Sequence, residues 1–337
     1  MTVHPRIAAS LVAALAAPVA AQDPPHRLPG VETSRVLLEV RVTDPAGRAL
    51  PGLTSADFRL EVDGRRAPVE TAVWVAEAPT AARALSLPGA PAAVSLGRLL
   101  VLLFQKDFEE SRLSGLLRAV GQAKELLAPL SPRDRVAVLS FDSHLRLHLD
   151  FTAHLDAVRR SLDESVLLRW PGPILPSAPP SLAVLLDGRE ATDAASPEQA
   201  LLALARALER TPEAKTILLF GYGLGELRGG RVVLDDDYEA ARAALDRARA
   251  AVFCLDVTDA DWHSLEAGLR RVAEDTGGQY FKVNENAGAA LSRVAAALAG
   301  HYLVAFERPD GPRGEHRVRL ALAGRRGTVL TRARYAD

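Results

Sequence analysis

Ser140, Asp142 and His144 are the residue types that a hydrolytic triad uses, and they fall within five positions of one another. On a strand they would stand in a row on one face, whereas a triad needs its base and orienting acid to converge on the nucleophile. No G-x-S-x-G turn is present to expose a serine at a strand end. The three therefore read as solvated residues of an edge loop, and an exported hydrolase stands as the weakest reading.

Asp107, Glu109 and Glu110 gather carboxylates in Gln105-Lys106-Asp107-Phe108-Glu109-Glu110-Ser111, with Asp142 after a later strand. Hard cations take oxygen ligands of this kind. Acids at a helix start are also stabilised by its dipole without any ion. No histidine, cysteine or second carboxylate run stands at ligand spacing, so no metal cofactor is expected. A nonstandard Mg²⁺ or Ca²⁺ site would have to use Asp107 and Glu109.

Gly221-Tyr222-Gly223-Leu224-Gly225 follows an apolar strand and invites a nucleotide reading. It lacks G-x-G-x-x-G spacing, and the next helix starts only near Asp235, too far on to offer its amino end to a phosphate. It reads as a rim loop. Asp256, Asp259 and Asp261 close a strand and open a helix, where capping accounts for them. Trp262 and His263 either line the rim or pack the first helical turn. Cys254, the only cysteine, lies in an apolar run and has no partner for an internal disulfide.

The element that must carry these loops is Leu99-Leu100-Val101-Leu102-Leu103-Phe104. Its unbroken apolar run suits a strand buried on both faces, and ligands bind at the carboxyl end of such strands. Helical spacing follows at 111–127, a strand at 135–141 and an edge strand at 145–149. Residues 155–162 are helical, and the proline-rich 171–180 forms an inserted loop. Ser196-Pro197-Glu198-Gln199 opens a helix, with serine as cap and proline in the first turn. Strands at 216–220, 251–256 and 279–283 alternate with helices at 238–249, 262–275 and 287–299. This alternation predicts a doubly wound, mostly parallel α/β sheet. Both ends of the chain are β: 36–42 and 58–62 with the Asp63-Gly64 turn, then 301–306, 316–322 and 328–334. A β unit the size of 36–75 is marginal alone, so the two ends are expected to pack together as a small sandwich-like unit.

The chain has 337 residues, 48% hydrophobic and 25% charged, enough for two or three domains. A formal net charge of -1 excludes a general nucleic-acid binder, which needs a basic field. Residues 1–21 read as a signal peptide, with a short apolar segment and Val19-Ala20-Ala21 before Gln22. The expected location is the periplasm or the medium, with no membrane span after cleavage. Residues 35–76 form the N-terminal β unit, 77–97 a linker, 98–300 the α/β domain and 301–337 the C-terminal β segment.

The order of these segments resembles the von Willebrand factor type A domain, and more closely the exported bacterial VWFA-related proteins. The resemblance rests on Val42-Thr43-Asp44-Pro45-Ala46-Gly47, Gly52-Leu53-Thr54-Ser55-Ala56-Asp57-Phe58 and Asp134-Arg135-Val136-Ala137-Val138. It continues in Ala250-Ala251-Val252-Phe253-Cys254-Leu255-Asp256, Ala273-Glu274-Asp275-Thr276-Gly277-Gly278 and Tyr302-Leu303-Val304-Ala305-Phe306. It implies a divalent cation at the sheet's carboxyl edge, held by DxSxS after the first strand, a later threonine, and an aspartate after the fourth strand. Here Gln105, Asp107 and Glu109 replace the DxSxS residues, Gly221 stands at the aspartate position, and Thr192 is the candidate threonine. The implied adhesion site is thus degenerate. The expectation is a non-enzymatic adhesion or scaffold module that binds another protein without metal through Gln105, Asp107, Glu109, Ser111, Asp142, Gly221 and Tyr222.

Overall fold

Strand β1 spans Arg35–Thr43, and a single 3-10 turn at Ser55–Asp57 leads into β2 (Phe58–Val62), β3 (Arg65–Ala67) and β4 (Val69–Ala76). The central strand β5 (Arg98–Gln105) feeds α1 (Glu110–Ala123), and β6 (Arg135–Phe141), β7 (Leu145–Thr152) and α2 (Leu155–Glu164) follow. Next come α3 (Leu182–Leu185), α4 (Gly188–Asp193), α5 (Pro197–Glu209), β8 (Ala214–Gly221) and the hairpin of β9 (Glu226–Arg228) with β10 (Arg231–Val233). The α/β part closes with α6 (Asp237–Ala248), β11 (Ala250–Asp256), α7 (Glu266–Thr276), β12 (Tyr280–Lys282) and α8 (Ala287–Ala297). The tail is β13 (Gly300–Glu307), β14 (Glu315–Leu322), β15 (Thr328–Leu330) and β16 (Arg334–Ala336).

This computed structural model describes residues 35–76, 97–107, 109–128, 130–164, 166, 172–283 and 287–337. The leader and nearly all of the linker named above lie outside them. Among the described residues no helix is long and apolar enough to cross a membrane.

Every residue of β5 is buried, and its side chains alternate between two cores. Leu99, Val101 and Leu103 pack with α5, α6 and α7, while Leu100, Leu102 and Phe104 pack with α1, α2 and α8. The strand order is β12-β11-β8-β5-β6-β7, parallel except for β7, which runs antiparallel at the edge. This is the doubly wound, mostly parallel sheet that the alternation predicts. Phe104 and Phe220 stack across β5 and β8 with centroids 4.6 Å apart, just below the carboxyl edge.

The two chain ends interleave. β1 lies between β13 and β15 in a four-stranded sheet completed by β4, and β2 pairs with β14 in a second. Leu38, Val40, Phe58, Leu60, Tyr302, Val304, Phe306 and Val318 fill the space between these sheets, which form a β-sandwich. The Tyr302 hydroxyl donates to the Leu50 carbonyl (2.7 Å) and accepts from the Leu53 N–H (2.9 Å), tying the 50–53 loop to the sandwich.

Two local expectations change. The helix after β11 begins at Glu266 rather than Trp262, because His263 turns back to Asp256 and Lys282 Nζ takes the Asp261 carbonyl. The helix after β5 is α-helical only to Ala123 and tightens to a 3-10 turn over Lys124–Leu127. The Ser196 cap is as expected, its hydroxyl accepting from the Gln199 N–H at 3.2 Å.

Residues 177–180 of the proline-rich insertion lie at the other end of the sheet from the carboxyl rim. Buried Asp150 accepts from the Ser177 and Leu182 N–H groups and the Ser181 hydroxyl, and Arg135, the first residue of β6, donates to the Ala178 and Pro179 carbonyls. Those anchors hold residues 177–182 near the start of β6 and leave the rim clear of them.

Candidate functional site: the carboxyl rim

β5, β6, β8 and β11 all end on one edge, so Gln105, Asp142, Gly221 and Asp256 converge there. The Gln105 side-chain oxygen accepts from the Tyr222 N–H at 3.1 Å. A Cβ on Gly221 would stand 2.6 Å from that oxygen, so a side chain there would require the Gln105 amide to turn away. The geometry joins Gln105, Gly221 and Tyr222 into one bridge between the two central strands.

Asp107 and Glu109 both pair with Arg112, a residue that the sequence reading passed over. Its guanidinium contacts the Asp107 carboxylate and lies 3.1 Å from Glu109. Its carbon stands 4.4 Å from the centroid of the Tyr222 ring, within cation–π range. A cation on Asp107 and Glu109 would have to displace this guanidinium. Both acids precede the first turn of α1, as expected, and are in addition ion-paired within the chain. Ser111 lies in the first turn of α1; its side chain falls outside the described residues. The Glu109-to-Arg112 spacing of three is the signal that could have found the pair.

Asp142 lies 3.5 Å from Lys106 Nζ and 3.7 Å from Arg146. Burial raises its pKa, but the Ser143 N–H and these two cations outweigh burial and hold the carboxyl below its usual range. Thr192 is not part of this constellation; its hydroxyl bonds the Gly188 carbonyl within α4.

Ser140 is fully buried, which removes it as a nucleophile and corrects its reading as a solvated loop residue. Its partner is His148 Nε2 at 2.7 Å, not His144. Burial, then the charges of Lys106 and Arg146, pull the His148 pKa down to about 4. An unfolded histidine binds its proton near pH 6.5. Between those values the unfolded chain holds the extra proton, so this residue's contribution to stability is lost as pH falls through that window. Relative to the wild type, His148→Gln is expected to gain stability progressively from pH 6.5 to 4, by on the order of 3 kcal/mol. Urea unfolding of both proteins across pH measures the difference, in which other titrating groups cancel; a pH-independent difference would contradict it.

Asp256 is fully buried and caps no helix, which corrects the capping reading. It accepts from the Thr258 N–H and the Tyr280 hydroxyl (2.6 Å) and pairs with His263 Nε2 (2.8 Å). Asp256, His263 and Glu266 bring one potential ligand atom each within 4.8 Å of one another. Lys282 and Arg270, each 3.3 Å from Glu266, already counter its charge. Asp256 and His263 stand out in the sequence one by one; what spacing does not show is the turn over 257–263 that folds His263 back onto Asp256, with Tyr280 and Lys282 brought up by β12.

The rim loops also expose large apolar side chains: Trp262 is 71% exposed, Leu227 56% and Val233 43%. Buried Glu198 at the start of α5 accepts from the Gly225 N–H at 2.7 Å and fixes the loop beneath the β9–β10 hairpin.

No protein-family model and no curated protein matches the chain. Among solved structures it is similar to a von Willebrand factor type A protein from Catenulispora acidiphila, at 13% identity and TM-score 0.44, over 86% of this chain and 75% of that one. It is similar to the conserved hypothetical protein BatB from Bacteroides thetaiotaomicron, at 16% identity and TM-score 0.38, over 60% of this chain and 98% of that one. A third is the vWF domain of the type V pili tip protein Mfa5 from Porphyromonas gingivalis, at 11% identity and TM-score 0.38, over 60% of this chain and 95% of that one.

Proposed function

We propose that the chain is an exported, non-enzymatic binding module that presents its carboxyl rim to another protein and needs no metal there. The observation that carries this reading is Arg112. Its guanidinium sits on Asp107 and Glu109 and against Tyr222, while Lys106 pairs with Asp142. The rim's carboxylates are therefore countered from within the chain. Its exposed tryptophan, leucine and valine offer the apolar contact that protein interfaces use at their centres. The hydrolase reading has no support in a serine without solvent access.

A photo-crosslinking residue at Tyr222 or Trp262, with one at Arg133 on the opposite edge as control, tests the reading in the exported fraction. Capture is expected from 222 and 262, unchanged by EDTA and lost on Arg112→Glu. Capture from 133 alone would place the binding surface elsewhere. Loss of capture in EDTA would favour a second reading, cation-dependent adhesion. The group that would then hold the ion is Asp256, His263 and Glu266, whose ligand atoms already lie within 4.8 Å of one another.

A further inference from the structure

Away from the rim, the outer face of β1 and β13 meets the end of α6 and the start of β11 around a cavity of about 140 Å³. Leu37, Glu39 and Arg41 alternate along β1, so they share the face opposite Leu38, Val40 and Val42, which fill the sandwich core. Leu37, Leu245 and Leu303 supply apolar wall, and Leu37, 58% exposed, stands at the mouth.

The charges in this cavity do not balance. Arg41, Arg249 and Arg332 line it against Glu39 and Asp246. Arg249 faces Glu39 at 4.0 Å, and Asp246 is shared between Arg332 inside the cavity and Arg242 outside it, from which it accepts at 3.0 Å. Arg332 donates through Nη2 to the Leu37 carbonyl at 2.9 Å, but its Nε is buried without a partner. Arg41 is 4% exposed and, among the described residues, makes no hydrogen bond or ion pair; its guanidinium carbon stands 5.9 Å from the centroid of the Phe253 ring. Three guanidinium groups thus face two carboxylates, and one guanidinium N–H is buried without an acceptor, which is costly, so the cavity points to an anion.

We propose that this cavity binds a small monoanion with an apolar body, a short-chain or aromatic carboxylate. One negative charge matches the single excess guanidinium. A planar carboxylate suits the forked donors of arginine, and the leucine wall takes the hydrocarbon part. The site is independent of the rim and of the function proposed for it.

The test is thermal unfolding and calorimetry of the full chain with benzoate and hexanoate, using benzamide as the neutral isostere and inorganic phosphate as the hydrophilic anion. Both carboxylates are expected to raise the melting temperature in a saturable way, and benzamide and phosphate are not. Leu37→Trp, a change at an exposed position, is expected to block the mouth and abolish the shift. Arg41→Met is expected to abolish it too, while leaving the unliganded melting temperature unchanged or higher, since it removes a buried unpaired charge. No shift with either carboxylate, an equal shift with benzamide or phosphate, or a shift retained in Leu37→Trp would overturn the proposal. Should Arg41→Met fail to fold, Leu37→Trp decides.

Discussion

Replacing Asp134 with alanine is expected to cost about 3–5 kcal/mol, the range for removing one partner of a buried ion pair. Asp134 is 3% exposed and accepts from the Arg98 N–H and Nε, from Nη2 at 2.6 Å, and from the Ser131 N–H. Arg98, also buried, reaches the Leu298 carbonyl with Nη1. The pair thus ties the start of β5 to the loop before β6 and to the end of α8. Without the carboxylate, Arg98 is left as a buried cation and two backbone N–H groups lose their acceptor. Urea unfolding measures the loss. A double variant, Arg98→Met with Asp134→Ala, is expected to recover part of it, because the uncompensated charge goes with the arginine. A loss below about 1 kcal/mol in the single variant would show that the pair is no more than a surface one.

Gly115→Ala is expected to be nearly as damaging and to disturb the rim as well. A Cβ at this position would stand 1.6 Å from the Val257 carbonyl oxygen, and the obstacle is backbone, so no side-chain rotation relieves it. Helix α1 must move away from the loop after β11. Overpacking of this kind costs about 3 kcal/mol at its upper end. For a chain of this size that lowers the melting temperature by several degrees. Because Arg112 lies one turn upstream on the same helix, its stacking on Tyr222 is expected to loosen. The variant should therefore lose crosslinking at 222 at temperatures where it is still folded. Wild-type stability in Gly115→Ala would contradict the close approach.

The sheet was legible because its signal is local. An eight-residue strand buried on both faces cannot alternate, and helices at 3.6-residue spacing on either side leave few topologies. The place of Gly221 was legible too, directly after the buried run 216–220 and so at the sheet's carboxyl edge. The role of Arg112 is less legible: a spacing of three from Glu109 allows an ion pair, but the contacts with Asp107 and the Tyr222 ring depend on how α1 meets the loop after β8. His148 could not be found from spacing. It lies where the β6–β7 register slips, Val138 facing Leu149 and Leu139 facing Leu147, and such an irregularity re-aims a side chain. The Asp256 cluster depends on a turn that returns His263 to Asp256, and the Arg41 cavity on β1 and β13, strands far apart in sequence that only the completed sheet brings together.

Metal-free binding at the rim requires that the chain's own cations fill the place that an ion would take there. Calorimetric titration of Mg²⁺, Mn²⁺ and Ca²⁺ into the wild type and Arg112→Ala tests this most directly. The wild type is expected to give no saturable heat, and Arg112→Ala, with Asp107 and Glu109 released, is expected to gain weak binding that Asp107→Ala removes again. Saturable binding to the wild type that disappears in Asp107→Ala would contradict the account.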